Sequence, residues 1–143
     1  VEIQAHVTPT NLGYPKRTDS GFDINRLNLL ITVVKKRTKL KLGDKDIFVN
    51  VVGGLKIRDS AADLAVCLAI ASAVAGRKLS EDFVVFGEVG LGGEVRSAYR
   101  PDQRIAEAKK LGFAHAIAPA TVKDPFVIQV KDLRQTLIEY VNE

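Results

Sequence analysis

The 143-residue sequence has no methionine, no tryptophan, one cysteine and two histidines. Each shortage removes a class of reading. A lone Cys67 cannot form an internal disulfide, which fits a reducing, cytoplasmic setting rather than a secreted scaffold. His6 and His115 lie far apart with no cysteine at ligand spacing, so no metal site is expected. The longest strongly apolar run, Leu64 to Ala75, is twelve residues. A bilayer needs about 20, so no membrane partner is expected, and no apolar leader opens the chain. The absence of methionine, in a chain that starts inside an expected strand, points to a piece of something longer. No G-x-x-x-x-G-K-[ST] string occurs, which excludes a P-loop nucleotide site here.

What is present is ordinary for a globular domain: 46% hydrophobic, 27% charged and a mean hydropathy of +0.04. The length supports one domain over 1–143 with a real core. A net charge of +4 permits an acidic partner such as nucleic acid without requiring one.

Hydrophobic spacing gives the organisation. Residues 1–7 read as a strand ending at the Thr8-Pro9-Thr10 turn, and 11–20 as a polar loop. Ile24, Leu27, Leu30, Ile31 and Val34 share one face of a helix over 23–36. A strand over 46–52 precedes a buried helix over 60–76. Strands over 83–88 and 94–98 flank Gly90-Leu-Gly-Gly93, where glycines suit a hairpin better than a phosphate cradle. A helix over 101–111 begins at a proline and stops before Gly112. Strands over 114–118 and 126–130 and a helix over 132–141 follow. This order predicts a mixed α/β fold, a mixed sheet with helices packed on it.

Three strings are more specific: Val-Glu-Ile-Gln at the start, Ser20-Gly-Phe-Asp-Ile-Asn-Arg-Leu-Asn28, and Val84-Val-Phe-Gly-Glu-Val-Gly90. With the run Val52 to Ala65, they resemble the Lon-protease-like C-terminal domain of the bacterial RadA (Sms) DNA repair proteins, over nearly the whole chain. The resemblance implies a Lon-type fold. It also implies an intact protein with an N-terminal zinc finger and a RecA-like ATPase core, which would hold the zinc, ATP and magnesium, with no cofactor in this fragment. It implies a hexameric ring acting on single-stranded or branched DNA, with a RecA-type recombinase as a further partner.

In Lon-type peptidases the helix start reads Pro-Ser-Ala-Gly, with its serine as nucleophile. Those positions correspond here to Ser60-Ala61-Ala62-Asp63, which puts Ala61 at the nucleophile. The partner lysine, counted from Gly93, falls on Asp102. Both halves of the dyad are thus expected to be missing, and the domain is not expected to be an enzyme. Ser60 and Asp63 have the spacing of a capping box. The alternatives are a peptidase, active or vestigial, using a shifted Ser60, and a pure oligomerisation scaffold.

Eight Lys or Arg face two Asp between Lys16 and Lys41. Lys16, Arg17 and Arg26 lie in or beside a loop that a partner could reach, and Lys56, Arg58, Arg96 and Arg104 surround the vacated peptidase position. These seven are the candidate DNA-binding residues, acting through phosphate contact. Only Tyr14 and Tyr99 lie near them, which gives little support to base stacking. Lys35, Lys36, Arg37, Lys39 and Lys41 read as a solvated helix end.

Overall fold

A computed structural model describes residues 2–10, 14–52 and 59–141. Its first sheet is mixed. Strand β1 (Ile3–Pro9) runs antiparallel to β3 (Lys45–Val51), and β2 (Arg17–Ser20) runs parallel to β3 on the other side. Ile3, Ala5, Val7, Ile47, Val49 and Val51 turn to one face, as the two-residue period of a strand demands, and join the main core. The expected turn at Thr8-Pro9-Thr10 is instead the end of β1, with Pro9 paired opposite Lys45. Pro9 is tolerated because, among the described residues, β1 has no second strand partner to which its missing N–H would be owed. The expected loop over 11–20 contains β2. Its polar Arg-Thr-Asp-Ser carries no strand signal of its own, and pairing to β3 imposes the conformation.

Helix α1 (Ile24–Arg37) starts where expected, because the Asp23 carboxylate accepts the Arg26 N–H at 3.0 Å. Leu27, Leu30, Ile31, Val33 and Val34 are buried from it, and Lys35, Lys36 and Arg37 occupy its last turn, favoured by the helix dipole. A short 3-10 turn (Ser60–Ala62) leads into α2 (Asp63–Ala75), which is apolar nearly all round and central to the core. Gly76 closes α2 at φ 68°, a left-handed conformation that glycine adopts without Cβ penalty.

The second sheet is parallel, in the order β4 (Phe83–Val85), β7 (His115–Pro119), β8 (Val127–Val130). A two-stranded ribbon joins β5 (Glu88–Val89) to β6 (Val95–Arg96). The single strand expected over 83–88 is therefore split at Phe86-Gly87, where the chain leaves β7 and turns to β6. Gly87 has φ 155° and would place a Cβ 3.0 Å from Val95, so only glycine fits the crossing. Between β5 and β6 the Gly90 N–H donates to Glu94 O at 2.9 Å, the hairpin the glycines predicted.

Helix α3 (Pro101–Lys110) follows Arg100, whose φ of 53° is left-handed, and α4 (Leu133–Tyr140) is capped by Asp132. The expected mixed α/β architecture is what the chain adopts. Its strands are divided between two three-stranded sheets and the ribbon. A large core joins the first sheet to α1, α2 and α4, and a smaller one lies beneath α3.

Candidate functional site

A cleft of about 780 Å³ opens between the 3-10 turn, β4 and α3. Ala61, Val84, Val85, Phe86, Ala108 and Phe113 make it apolar, while Asp59, Tyr99, Arg100, Gln103, Arg104 and Glu107 supply its polar groups. Ala61 is 3% exposed and lines the cleft, so the expected nucleophile position carries only a methyl group. Asp102 does not line the cleft. It is exposed on the first turn of α3, and Arg104 faces the cleft instead. Asp102, the position expected to correspond to the peptidase lysine, and Arg104 lie two apart on the helix, about 200° apart around its axis.

Arg104 is held on two sides. Its Nη2 pairs with Asp59 Oδ2, and its Nε donates to Tyr99 O at 2.7 Å. Asp59 Oδ1 accepts the Ala61 N–H at 2.9 Å. Burial alone would push the Asp59 carboxyl up, but the Ala61 N–H and the Arg104 guanidinium outweigh it and hold its pKa below the usual carboxylate value. An arginine stays protonated and cannot act as a general base. Among the described residues the lining contains no serine, cysteine, histidine or lysine.

The capping box expected of Ser60 and Asp63 does not form. Asp59 is the residue that caps the turn, and Asp63 is fully buried. The Asp63 carboxylate accepts Arg26 Nε at 3.1 Å, pairs a second time with Arg26 Nη2, and accepts the Val89 N–H at 3.1 Å. One carboxylate thereby ties α1, α2 and β5 together. Its burial is possible because a bidentate guanidinium and an amide satisfy it. The outcome for capping is specific. Ser60→Ala is expected to change stability by less than about 0.5 kcal/mol. Asp59→Ala is expected to lose about 0.5–2 kcal/mol in urea melts through the lost cap. Because the folded pKa of Asp59 is depressed, its contribution is present above the unfolded value near 3.9 and fades as pH falls through the lower folded value. Asp59→Asn should flatten that acid limb. Equal acid sensitivity of wild type and Asp59→Asn would contradict this account.

The basic candidates separate into groups. Arg26 lies in the first turn of α1, beside that loop, and its guanidinium is paired with Asp63. Arg96 sits 3.6 Å from Glu88 and 3.5 Å from Glu94. Arg17 donates through Nη2 to Leu42 O at 2.7 Å, and its buried Nε has no hydrogen-bond partner among the described residues. Lys16 is exposed, with its backbone N–H on Asp46. Lys56 and Arg58 lie outside the described residues. Lys35, Lys36, Arg37, Lys39 and Lys41 are all exposed. Arg37 Nε approaches Leu91 O at 3.4 Å, and no ion pair of these five is found among the described residues. No cluster of three or more His, Cys, Asp or Glu suited to a metal is found there either. Cys67 is fully buried, and burial pushes its thiol pKa up, away from the reactive thiolate.

Residues 27–122 match the family described as ChlI, subunit ChlI of Mg-chelatase. The chain belongs to that family. Its mixed α/β architecture is consistent with the Lon-type fold expected from sequence. The resemblance to RadA is also found across curated proteins. The chain is 44% identical to the DNA repair protein RadA of Aquifex aeolicus over 123 residues, covering 86% of this chain and 28% of the relative. It is 44% identical to RadA of Haemophilus influenzae, covering 96% of this chain and 31% of the relative. For RadA of Escherichia coli the identity is 48%, covering 84% and 26%. The chain thus spans less than a third of the length of these relatives. No helix among the described residues is long and apolar enough to cross a membrane.

Sequence reasoning missed Asp59 as the cleft's cap and anion, and missed the Arg26–Asp63 clamp. Asp59 stands one residue before the serine that drew attention, and an Asp preceding a run of small residues is itself a cap signal. The Arg26–Asp63 pair spans 37 residues and has no local signature.

Proposed function

We propose that the chain is a non-proteolytic, Lon-like domain of a DNA repair protein. In this reading it binds DNA through phosphate contacts and forms a platform in a hexameric ring that processes branched recombination intermediates. The observation that carries the proposal is the 44–48% identity to DNA repair proteins named RadA over 84–96% of the chain. The remaining two thirds of such a protein would supply a RecA-like ATPase with its ATP and magnesium, a zinc finger, and the contact with a RecA-type recombinase in the cytoplasm. The loss of peptidase chemistry is supported by the methyl group of Ala61 at the nucleophile position and by the Arg104 guanidinium, which is paired with Asp59 and cannot serve as a base.

Phosphate contacts release counterions, so affinity for single-stranded or branched DNA should fall steeply with salt and depend little on sequence. Lys16 and the exposed cations in and after the last turn of α1 supply the charge for this, with Arg17 and Arg96 as supporting contacts. A closed ring would multiply weak single-domain contacts through avidity. Fluorescence anisotropy with labelled oligonucleotides across a salt series tests the proposal. A domain and a ring that both fail to bind at low salt would leave only an oligomerisation scaffold. Incubation with unfolded casein should give no cleavage, and Ala61→Ser alone should create none, because Arg104 cannot accept a proton. Turnover by wild type that disappears in Ser60→Ala would overturn the non-proteolytic reading.

A further inference from the structure

A second cleft, of about 950 Å³, lies on the α2 and α4 side of the same strand that borders the first. Val84, Val85, Leu111 and Phe113 line both hollows, so β4 runs between two apolar depressions. Among the described residues β4 is also an edge strand, paired only with β7. Along it the Phe86 N–H donates to Ile117 O in β7, whereas the Gly87 N–H donates to Ala61 O on the opposite side. Even-numbered residues therefore turn their backbone groups to β7, and odd-numbered ones turn them away. The N–H and C=O of Phe83 and Val85 face the open side and have no hydrogen-bond partner among the described residues. Proteins ordinarily blunt such an edge with charge, proline or a covering segment. Here it lies between apolar walls, with Leu111 66% exposed on the rim.

From this geometry we infer that the open edge of β4 takes up an extended peptide segment of another polypeptide, a site beyond the DNA-binding reading. Main-chain groups of an incoming strand match the free N–H and C=O of Phe83 and Val85, and its successive side chains alternate between the two hollows. Charge selects the class of partner. Among the described residues Glu2, Glu81 and Glu139 line the second cleft against a single cation, Lys78, which pairs with Glu81 at 3.6 Å. That acidic rim repels a phosphate backbone and favours a basic residue flanking the apolar stretch. The occupant is accordingly an extended segment of three or so apolar residues with Lys or Arg beside them.

The probe is a set of fluorescein-labelled heptapeptides with a terminal Lys and all combinations of Val, Ile, Leu and Phe at three central positions. Binding to the 143-residue chain is read by anisotropy. Exchange of the Lys for Glu is expected to weaken the best binder at least fivefold. N-methylation of alternate amides should weaken it at least tenfold in one phase and much less in the other, the signature of strand pairing. Leu111→Glu, at an exposed position, and Val85→Pro, which removes an outward N–H, should each cost at least tenfold in peptide affinity. Thermal stability of Leu111→Glu and the DNA affinity of both variants should hold, which separates this site from the DNA face. The inference is overturned if no peptide binds the folded chain, if both N-methylation phases bind alike, or if Val85→Pro alters DNA binding while no peptide binds. It is equally overturned if Leu111→Glu only abolishes self-association, which would make the edge an interface between copies.

Discussion

Arg26→Ala is expected to destabilise the domain by about 3 kcal/mol in urea melts with an unchanged m value. Removing one partner of a buried ion pair costs about 3–5 kcal/mol, because the other charge is left uncompensated in a low-dielectric interior. Asp63 is fully buried, and without Arg26 it would keep only the Val89 N–H. The lower end of that range applies because Arg26 is 30% exposed, so water can partly replace its head group. The converse change, Asp63→Ala, should cost less, about 1–3 kcal/mol, since a freed guanidinium can turn outward to solvent. A double-mutant cycle then gives a favourable coupling energy, and Arg26→Met with Asp63→Leu should recover much of the loss. Additive single effects would show that the pair contributes nothing. At temperatures where Arg26→Ala remains folded, its DNA affinity should match wild type, because its charge is spent on Asp63.

The second large effect tests the proposed DNA contact. A triple change of Lys35, Lys36 and Arg37 to Ala should reduce affinity for all sequences. It should also flatten the dependence of log affinity on log salt by about two to three units if each cation contacts a phosphate of duplex DNA, at about 0.9 unit per contact. Arg104→Ala should flatten it little, because its guanidinium is already neutralised by Asp59. This ordering reverses what the sequence suggests. A basic run at a helix end looks like solvated charge, whereas arginines beside a catalytic-looking loop look available. The expected difference rests on ion pairing, which for Arg104 depends on Asp59, an acid distant in sequence. If Arg104→Ala lowers the salt slope more than the triple change, the DNA face is the cleft and not the end of α1.

Legibility in the sequence followed the range of the forces. Helix α1 could be read from Ile24, Leu27, Leu30, Ile31 and Val34 because an apolar stripe is a local pattern, and Asp23 marks its start by a local bond. Gly76 and Gly112 mark the ends of helices for the same reason. Strand β2 could not be read, since Arg17 to Ser20 are polar and become a strand only by lying beside β3. The break at Gly87 was hidden because the apolar run continues through Phe86 while the hydrogen-bond partner changes. At the site, the helical phase that brings Arg104 into the cleft and leaves Asp102 exposed is a property of how α3 packs, which no local string reveals. Ser60 misled because Ser-x-x-Asp matches a cap by spacing, while the carboxylate of Asp63 found a stronger partner in Arg26.

The two cores are unequal, and the inequality sets which part of the molecule opens first. Half of the residues in the smaller core are alanines: Ala61, Ala98, Ala116 and Ala118 beside Phe86, Ile105, Val122 and Val127. A buried alanine removes little apolar surface from water, so α3 is anchored by far less hydrophobic free energy than α1 and α2. Elements with sparse apolar burial detach at lower free energy than the whole domain unfolds. Excursions of α3 therefore widen the cleft while the sheet, α1 and the basic end of α1 stay in place. Access to the cleft and the integrity of the cationic face are in this way governed by separate cooperative units.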